Sequence, residues 1–192
     1  MILWDWKAYS YDFFRNLFPF KQILLQEIKN IKELLSHVNI KQGTILDVGT
    51  GTGTILELLH RDCKVFAVDK SIRMIHKAKL KQSTNFVVGD ATTLPFKSYS
   101  FNLVTAVGLF EYQKEPVKFL QELQRLIEPT GCVVITYSQL SGLNILRYLL
   151  GHQIYLKAKK SFNHLLSHSG FAIKMIKKTL LQRQVLIINK SD

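Results

Sequence analysis

The run Ile45-Leu46-Asp47-Val48 passing directly into Gly49-Thr50-Gly51-Thr52-Gly53 restricts this chain more than any other stretch. Ile45, Leu46 and Val48 read as a short buried strand, and Ile55, Leu56, Leu58 and Leu59 recur at helical spacing behind the glycines. The loop between them is therefore a strand-to-helix junction. Glycines at positions 49, 51 and 53 carry no Cβ, so the backbone can turn sharply and approach a ligand, with the free N–H groups of the following helix aimed at it. A dinucleotide fingerprint needs its third glycine at position 54, which is Thr54 here, and a pyrophosphate ligand is disfavoured.

Further apolar runs follow the same plan of a strand ending in a polar tip. Lys64 to Asp69 reads as a second strand, whose terminal acid either grips a ligand's hydroxyl pair or caps the helix starting near Ser71. Phe86-Val87-Val88-Gly89-Asp90-Ala91 is a third strand with its exit, and Phe101 to Val107 a fourth that leaves through Gly108-Leu109-Phe110-Glu111-Tyr112. Pro116 opens a helix running to Leu126, Glu128 to Gly131 reads as a turn, and Cys132 to Tyr137 as a fifth strand. Leu140 to Leu150 and Lys159 to His168 have helical patterns, and Gly170 to Lys174 with Leu181 to Ile188 give a final strand pair. Ahead of the glycine loop, Ile23, Leu24, Ile28, Ile31, Leu34 and Leu35 predict an amphipathic helix to about Val38.

Asp47-x-Gly49-x-Gly51-x-Gly53 on a strand-turn-helix, with Asp69 and Asp90 on the next two strand exits, resembles the class I S-adenosylmethionine (SAM)-dependent methyltransferases. The likeness covers residues 41 to 138 most fully. It implies an α/β fold: a Rossmann-like, doubly wound, mostly parallel seven-stranded sheet closed by a C-terminal antiparallel hairpin. It implies SAM as the cofactor. Asp47, Val48, Gly49, Thr50, Gly51 and Gly53 would hold the amino acid part, which carries an ammonium and no phosphate. Asp69 would grip the ribose hydroxyls, Lys70, Ser71 and Ile72 would lie beside the adenine, Asp90 would accept from the adenine amino group, and Ala91 and Val107 would complete the pocket. Two departures stand out: the family commonly has Asp where Asn102 stands, and a His-containing exit where this chain has Glu111. No Asn/Asp-Pro-Pro-Tyr follows the fourth strand, which disfavours the branch that methylates amino groups of adenine and glutamine.

At 192 residues the chain suits one domain overall, with residues 1–40 as an aromatic and helical lid and 41–192 as the SAM-binding part. The eight aromatic residues between Trp4 and Phe20 either close over SAM, with Tyr11-Asp12 as in many family members, or pack the helix onto the core, or insert among lipid headgroups. Cys63 and Cys132 sit in apolar runs without a C-x-x-C partner and read as buried thiols. The N-terminus has no secretory pattern, and Leu140 to Leu156 contains Asn144, Arg147 and His152 and is too short to span a bilayer. A cytoplasmic protein, at most peripheral to a membrane, is the expectation.

The net charge of +12 is concentrated: residues 1–40 carry +1, 41–136 carry +3 and 137–192 carry +8, with no acid between Glu128 and Asp192. That surface suits an anionic membrane, a nucleic acid or an acidic small molecule, or is simply solvated. Methyl transfer from a sulfonium is chiefly a positioning problem, and a general base is needed only for an acceptor protonated at neutral pH. Glu111, Tyr112, Tyr11 and His152 are the candidates for that base. His76, His164 and His168 lack a third ligand, so no metal is expected. The expected function is methyl transfer to a small-molecule or lipid-like acceptor. A nucleic acid methyltransferase and a non-catalytic SAM-fold partner or activator subunit are the alternatives.

Overall fold

In the computed structural model of the chain, the described residues are 20–40, 42–59, 62–139, 144–145, 154–155 and 158–190. The aromatic stretch before Phe20, with Tyr11, and most of the Leu140 to Leu156 segment, with His152, lie outside them. The elements run α1 (Phe20–Ser36), β1 (Thr44–Val48), β2 (Lys64–Asp69), α2 (Ile72–Lys79), β3 (Asn85–Val88), β4 (Phe101–Ala106), α3 (Pro116–Leu126), β5 (Ile127–Ser138), α4 (Lys159–His168), β6 (Phe171–Lys178) and β7 (Gln182–Asn189). Single 3-10 turns lie at Leu56–Leu58 and Phe110–Tyr112.

All seven strands form one sheet in the order β3-β2-β1-β4-β5-β7-β6. The first five pair in parallel, and β7 runs antiparallel to both β5 and β6. This is the doubly wound sheet with an antiparallel C-terminal hairpin that the sequence predicts. Chain order reverses between β1 and β4, and the connections diverge there, leaving a crevice beyond the carboxyl ends of these strands.

The central strands are apolar on both sides because both are covered. On one face Phe101, Val104, Val133, Ile135 and Val185 pack with Leu120 and Leu123 of α3 and Phe162 and Leu166 of α4. On the other, Ile45, Leu103, Val134 and Leu186 pack with Ile31, Leu34 and Leu35 of α1. The period of α1 thus does what its pattern requires, and Asn30 adds a polar pin, donating to Gln184 Oε1 at 2.9 Å.

Three local details depart from the sequence reading. The apolar spacing after Gly53 yields only the three-residue turn Leu56–Leu58, because Leu59 is already extended (φ −79°, ψ 152°). No helix N-terminus therefore faces the glycine loop. Glu128 to Gly131 is not a turn between elements but part of β5, whose pairing with β4 jumps from Phe101↔Ile127 to Leu103↔Cys132. The extra residues bulge out at that shift.

The third detail explains Asn102. Its Oδ1 accepts from Thr44 N at 2.8 Å and its Nδ2 donates to Glu128 Oε2 at 2.6 Å, joining the starts of β1, β4 and β5. An aspartate could keep the first bond but would set a second carboxylate against Glu128. Asn102→Asp is accordingly expected to cost about 1–3 kcal/mol, with the loss shrinking on acidification, as thermal unfolding would show.

Candidate functional site

The glycine loop is held over the end of β2: Gly49 N and Thr50 N both donate to Val68 O, at 2.8 and 2.9 Å. Gly49, Gly51 and Gly53 have φ of +72°, +54° and +83°, left-handed values at which any side chain is strained. A Cβ on Gly49 would strike the Leu109 side chain at 2.9 Å and one on Gly53 would press on Ala78 at 3.2 Å, whereas at Gly51 nothing but Gly49 O comes as near as 4.0 Å. Gly108, at φ +67° on the far side of the crevice, also has open space beside its Cα. The loop is thus pinned from behind and open in front at Gly51.

Asp47, at the end of β1, is 1% exposed. Its Oδ1 accepts from Thr105 Oγ1 at 2.6 Å, the residue opposite it in β4. Its Oδ2 makes no hydrogen bond among the described residues, nor does the buried Thr50 hydroxyl. Burial pushes the Asp47 carboxyl up to about 6, opposed by the Thr105 hydroxyl and by the Thr50 hydroxyl, which lies near the carboxyl without making a well-formed hydrogen bond, and helped by the nearby Asp69 charge. A buried acid with one unmatched oxygen is a poor structural element and a ready partner for a cation.

Asp69 closes the loop from the next strand: Oδ2 accepts from Gly51 N and Oδ1 from Ser71 N, both at 2.8 Å. Ser71 itself caps α2, accepting from Met74 N at 3.2 Å, so the cap that Asp69 could have supplied comes from its neighbour. Beyond Asp69, Ile72 leaves an apolar side chain 51% exposed at the same end of the sheet. Asp90 sits one strand further out, where Lys70 Nζ donates to its Oδ2 at 2.8 Å and Thr92 N and Oγ1 donate to its Oδ1. The Lys70 ammonium, with the Thr92 amide, holds the Asp90 carboxyl down at about 2. Ala91 is half-buried in the turn after Asp90, and Val107 half-buried after β4.

The wall across the crevice is the exit of β4. Gly108 N donates to Thr136 Oγ1 at 2.7 Å, and Phe110 is buried edge-on against Phe162, with ring centroids 5.2 Å apart. Glu111, 1% exposed, accepts at Oε1 from Ser138 Oγ (3.0 Å) and Gln182 Nε2 (2.8 Å), and its carbonyl accepts from Tyr155 N. Tyr112 is half-buried at the end of this turn. Sequence reasoning missed Thr105, Thr136, Ser138 and Gln182. The signal available was a polar residue at the buried end of an otherwise apolar strand.

The structure thus brings the sequence-predicted residues Asp47, Gly49, Thr50, Gly51, Gly53, Asp69, Lys70, Asp90 and Ala91 to one end of the sheet, with Val48 just beneath and Val107 and Glu111 opposite. The family model for a methyltransferase domain matches residues 46–135. A demethylmenaquinone methyltransferase of Thermotoga maritima is 31% identical over 139 residues, 70% of this chain and 59% of that protein. The chain belongs to the class I SAM-dependent methyltransferases. Among solved structures of this methyltransferase fold, magnesium protoporphyrin IX methyltransferase from Synechocystis PCC 6803, solved with bound SAH, has a TM-score of 0.77 at 18% identity, covering 96% of each chain. A chain of the complex between the Haloferax volcanii Trm112 methyltransferase activator and its methyltransferase has a TM-score of 0.79 at 18% identity, covering 100% of this chain and 99% of that one. The chain spans 39% to 59% of the length of the first curated relatives it matches.

Proposed function

We propose that this chain binds SAM along the tips of β1, β2 and β3 and transfers its methyl group to an apolar, lipid-like small molecule. The observation that carries the cofactor's placement is the buried Asp47 with its unmatched Oδ2 beside a glycine loop open at Gly51. An ammonium is the group that such a carboxylate lacks, and SAM has one. Asp69, whose carboxylate stands at the tip of β2 beside Gly51, is of the chemical type that accepts from a ribose diol. The exposed Ile72 offers an apolar surface for the adenine, and Asp90 an acceptor at its edge.

What bound SAM supplies is a methyl group on a sulfonium, ready for in-line substitution. The chain's own contribution is placement. Thr136 holds the Gly108 amide, and Ser138 and Gln182 hold the Glu111 side chain, which ties down the acceptor side of the crevice, and alignment alone is worth several kcal/mol of barrier. Glu111 is the anchor of that wall. Its Oε1 is already the acceptor of two hydrogen bonds, which suits positioning better than proton abstraction.

Similarity to the Thermotoga maritima demethylmenaquinone methyltransferase supports an apolar acceptor. Incubating the protein with methyl-labelled SAM and a cell extract tests it. Label is expected in the organic-soluble fraction and not in RNA; label in RNA alone would overturn the choice of acceptor.

A further inference from the structure

We infer that the cofactor end of the sheet, on its β6–β7 side, is a docking surface for an anionic lipid bilayer. The inference rests on the reading of a lipid-like acceptor and adds where that acceptor is met.

Part of the positive charge of the C-terminal quarter gathers at one end of the fold, while Lys174 and Lys190 lie toward the other. β6 runs parallel to β5, so it ends at the cofactor end of the sheet, and α4, which precedes it, begins there. Lys178 at the end of β6 and Lys159 and Lys160 at the start of α4 are therefore gathered at one end, all three exposed and none in an ion pair among the described residues. Lys177 is left out, because it pairs with Glu33 of α1, and Lys174 lies at the opposite end, near Cys132. The acids near this region are Glu33, already paired, Glu27 of α1, beside the Thr179 hydroxyl at 3.5 Å, the buried Glu111, whose Oε1 accepts from Gln182, and the exposed Glu115 just ahead of α3.

Apolar side chains stand among these cations. Leu180, at the tip of the hairpin, is 66% exposed, and Ile176 on β6, Ile145 and Tyr155 are all more than a third exposed. Ile145 and Tyr155 are fixed at this end: Asn144 Nδ2 donates to Leu181 O, and Tyr155 N to Glu111 O. The surface thus joins cations to protruding aliphatic groups beside the wall of the acceptor crevice. A nucleic acid needs the charge but has no use for exposed Leu180 and Ile176, whereas a bilayer with acidic headgroups takes both, the cations at the phosphate plane and the aliphatic groups beneath it. Docking in that orientation turns the crevice toward the layer in which an apolar acceptor dissolves.

The test is co-sedimentation of the full chain with vesicles of phosphatidylcholine alone and of phosphatidylcholine mixed with phosphatidylglycerol. Binding is expected only to the mixed vesicles and is lost at high salt. Lys159→Gln, Lys160→Gln and Lys178→Gln together are expected to weaken partitioning about a hundredfold, at about fivefold per cation near the surface, and Leu180→Asp to weaken it too. Lys174→Gln, at the far end, should leave it unchanged. Failure to bind the mixed vesicles, loss with Lys174→Gln equal to that of the triple variant, or RNA binding with a steep salt slope in place of vesicle binding would each overturn the inference. SAM binding measured on the same preparations separates the two readings: intact SAM binding without vesicle binding removes the docking surface and leaves the site.

Discussion

Asp47→Asn is expected to make the ligand-free protein more stable at neutral pH and to weaken SAM binding by about 10- to 100-fold. The two effects share one cause. The Asp47 carboxyl titrates at about 6 in the folded chain against 3.8 as a free side chain, so near neutrality the folded state carries a buried charge that burial disfavours. By linkage, the folded state holds the extra proton between those two values, and stability falls as pH rises through that window and stays lowered above it. The shift corresponds to about 3 kcal/mol, of which an asparagine still accepting from Thr105 is expected to recover about 1–2 kcal/mol. The wild-type protein should accordingly gain melting temperature on acidification from neutrality toward 4, relative to the variant. SAM affinity should fall over the same acid range, because a protonated Asp47 no longer attracts an ammonium, and a charged hydrogen bond is worth about 1.5–3 kcal/mol. Thermal melts and calorimetry of the two proteins across pH check both signs. A variant less stable than wild type at neutral pH would mean that Asp47 is a structural hinge between β1 and β4 and no ligand group.

Asp69→Ala is expected to lower SAM affinity by at least tenfold while costing about 1–2 kcal/mol of stability. From sequence alone Asp69 removes only ligand contacts when truncated. In the fold it also accepts from Gly51 N and Ser71 N, and so braces the glycine loop from β2. Asp69→Asn, which keeps one acceptor oxygen, should fall between wild type and Ala in both measurements. A stability loss with unchanged SAM affinity would make Asp69 a brace only.

What could be read from the sequence, and what could not, divides along the range of the interactions involved. The glycine loop and the acids at the ends of β1, β2 and β3 are local: each is a hydrophobic run stopped by residues whose backbone needs are visible in the residue names. The mostly parallel sheet and its antiparallel C-terminal hairpin followed from the alternation of strands and helices, aided by the family likeness, whereas the strand order is visible only in the fold. The turn at Leu56–Leu58 was misread as a longer helix because a few apolar residues at three- and four-residue spacing fit either structure. Glu128 to Gly131 carries turn chemistry yet belongs to β5, since its place is set by pairing with β4 far earlier in the chain.

The partners of the site residues were hidden for the same reason. Thr105 meets Asp47 only through the β1–β4 register, Asn102 meets Glu128 only across β4 and β5, and Gln182 reaches Glu111 from the last strand. Each is a polar residue in an apolar strand, a pattern that marks a position without naming its partner. Glu111 shows the consequence: its residue type makes it a candidate base, and only the fold shows Ser138 and Gln182 donating to its Oε1.

The most direct measurement is a calorimetric titration of the folded full chain with SAM and with S-adenosylhomocysteine at neutral pH. Saturable binding of both ligands, weakened about 10- to 100-fold in Asp47→Asn and at least tenfold in Asp69→Ala, is the expected result. The absence of detectable heat with either ligand at millimolar concentration, from a protein shown to be folded by its thermal transition, would contradict the assignment of this sheet end as a SAM site.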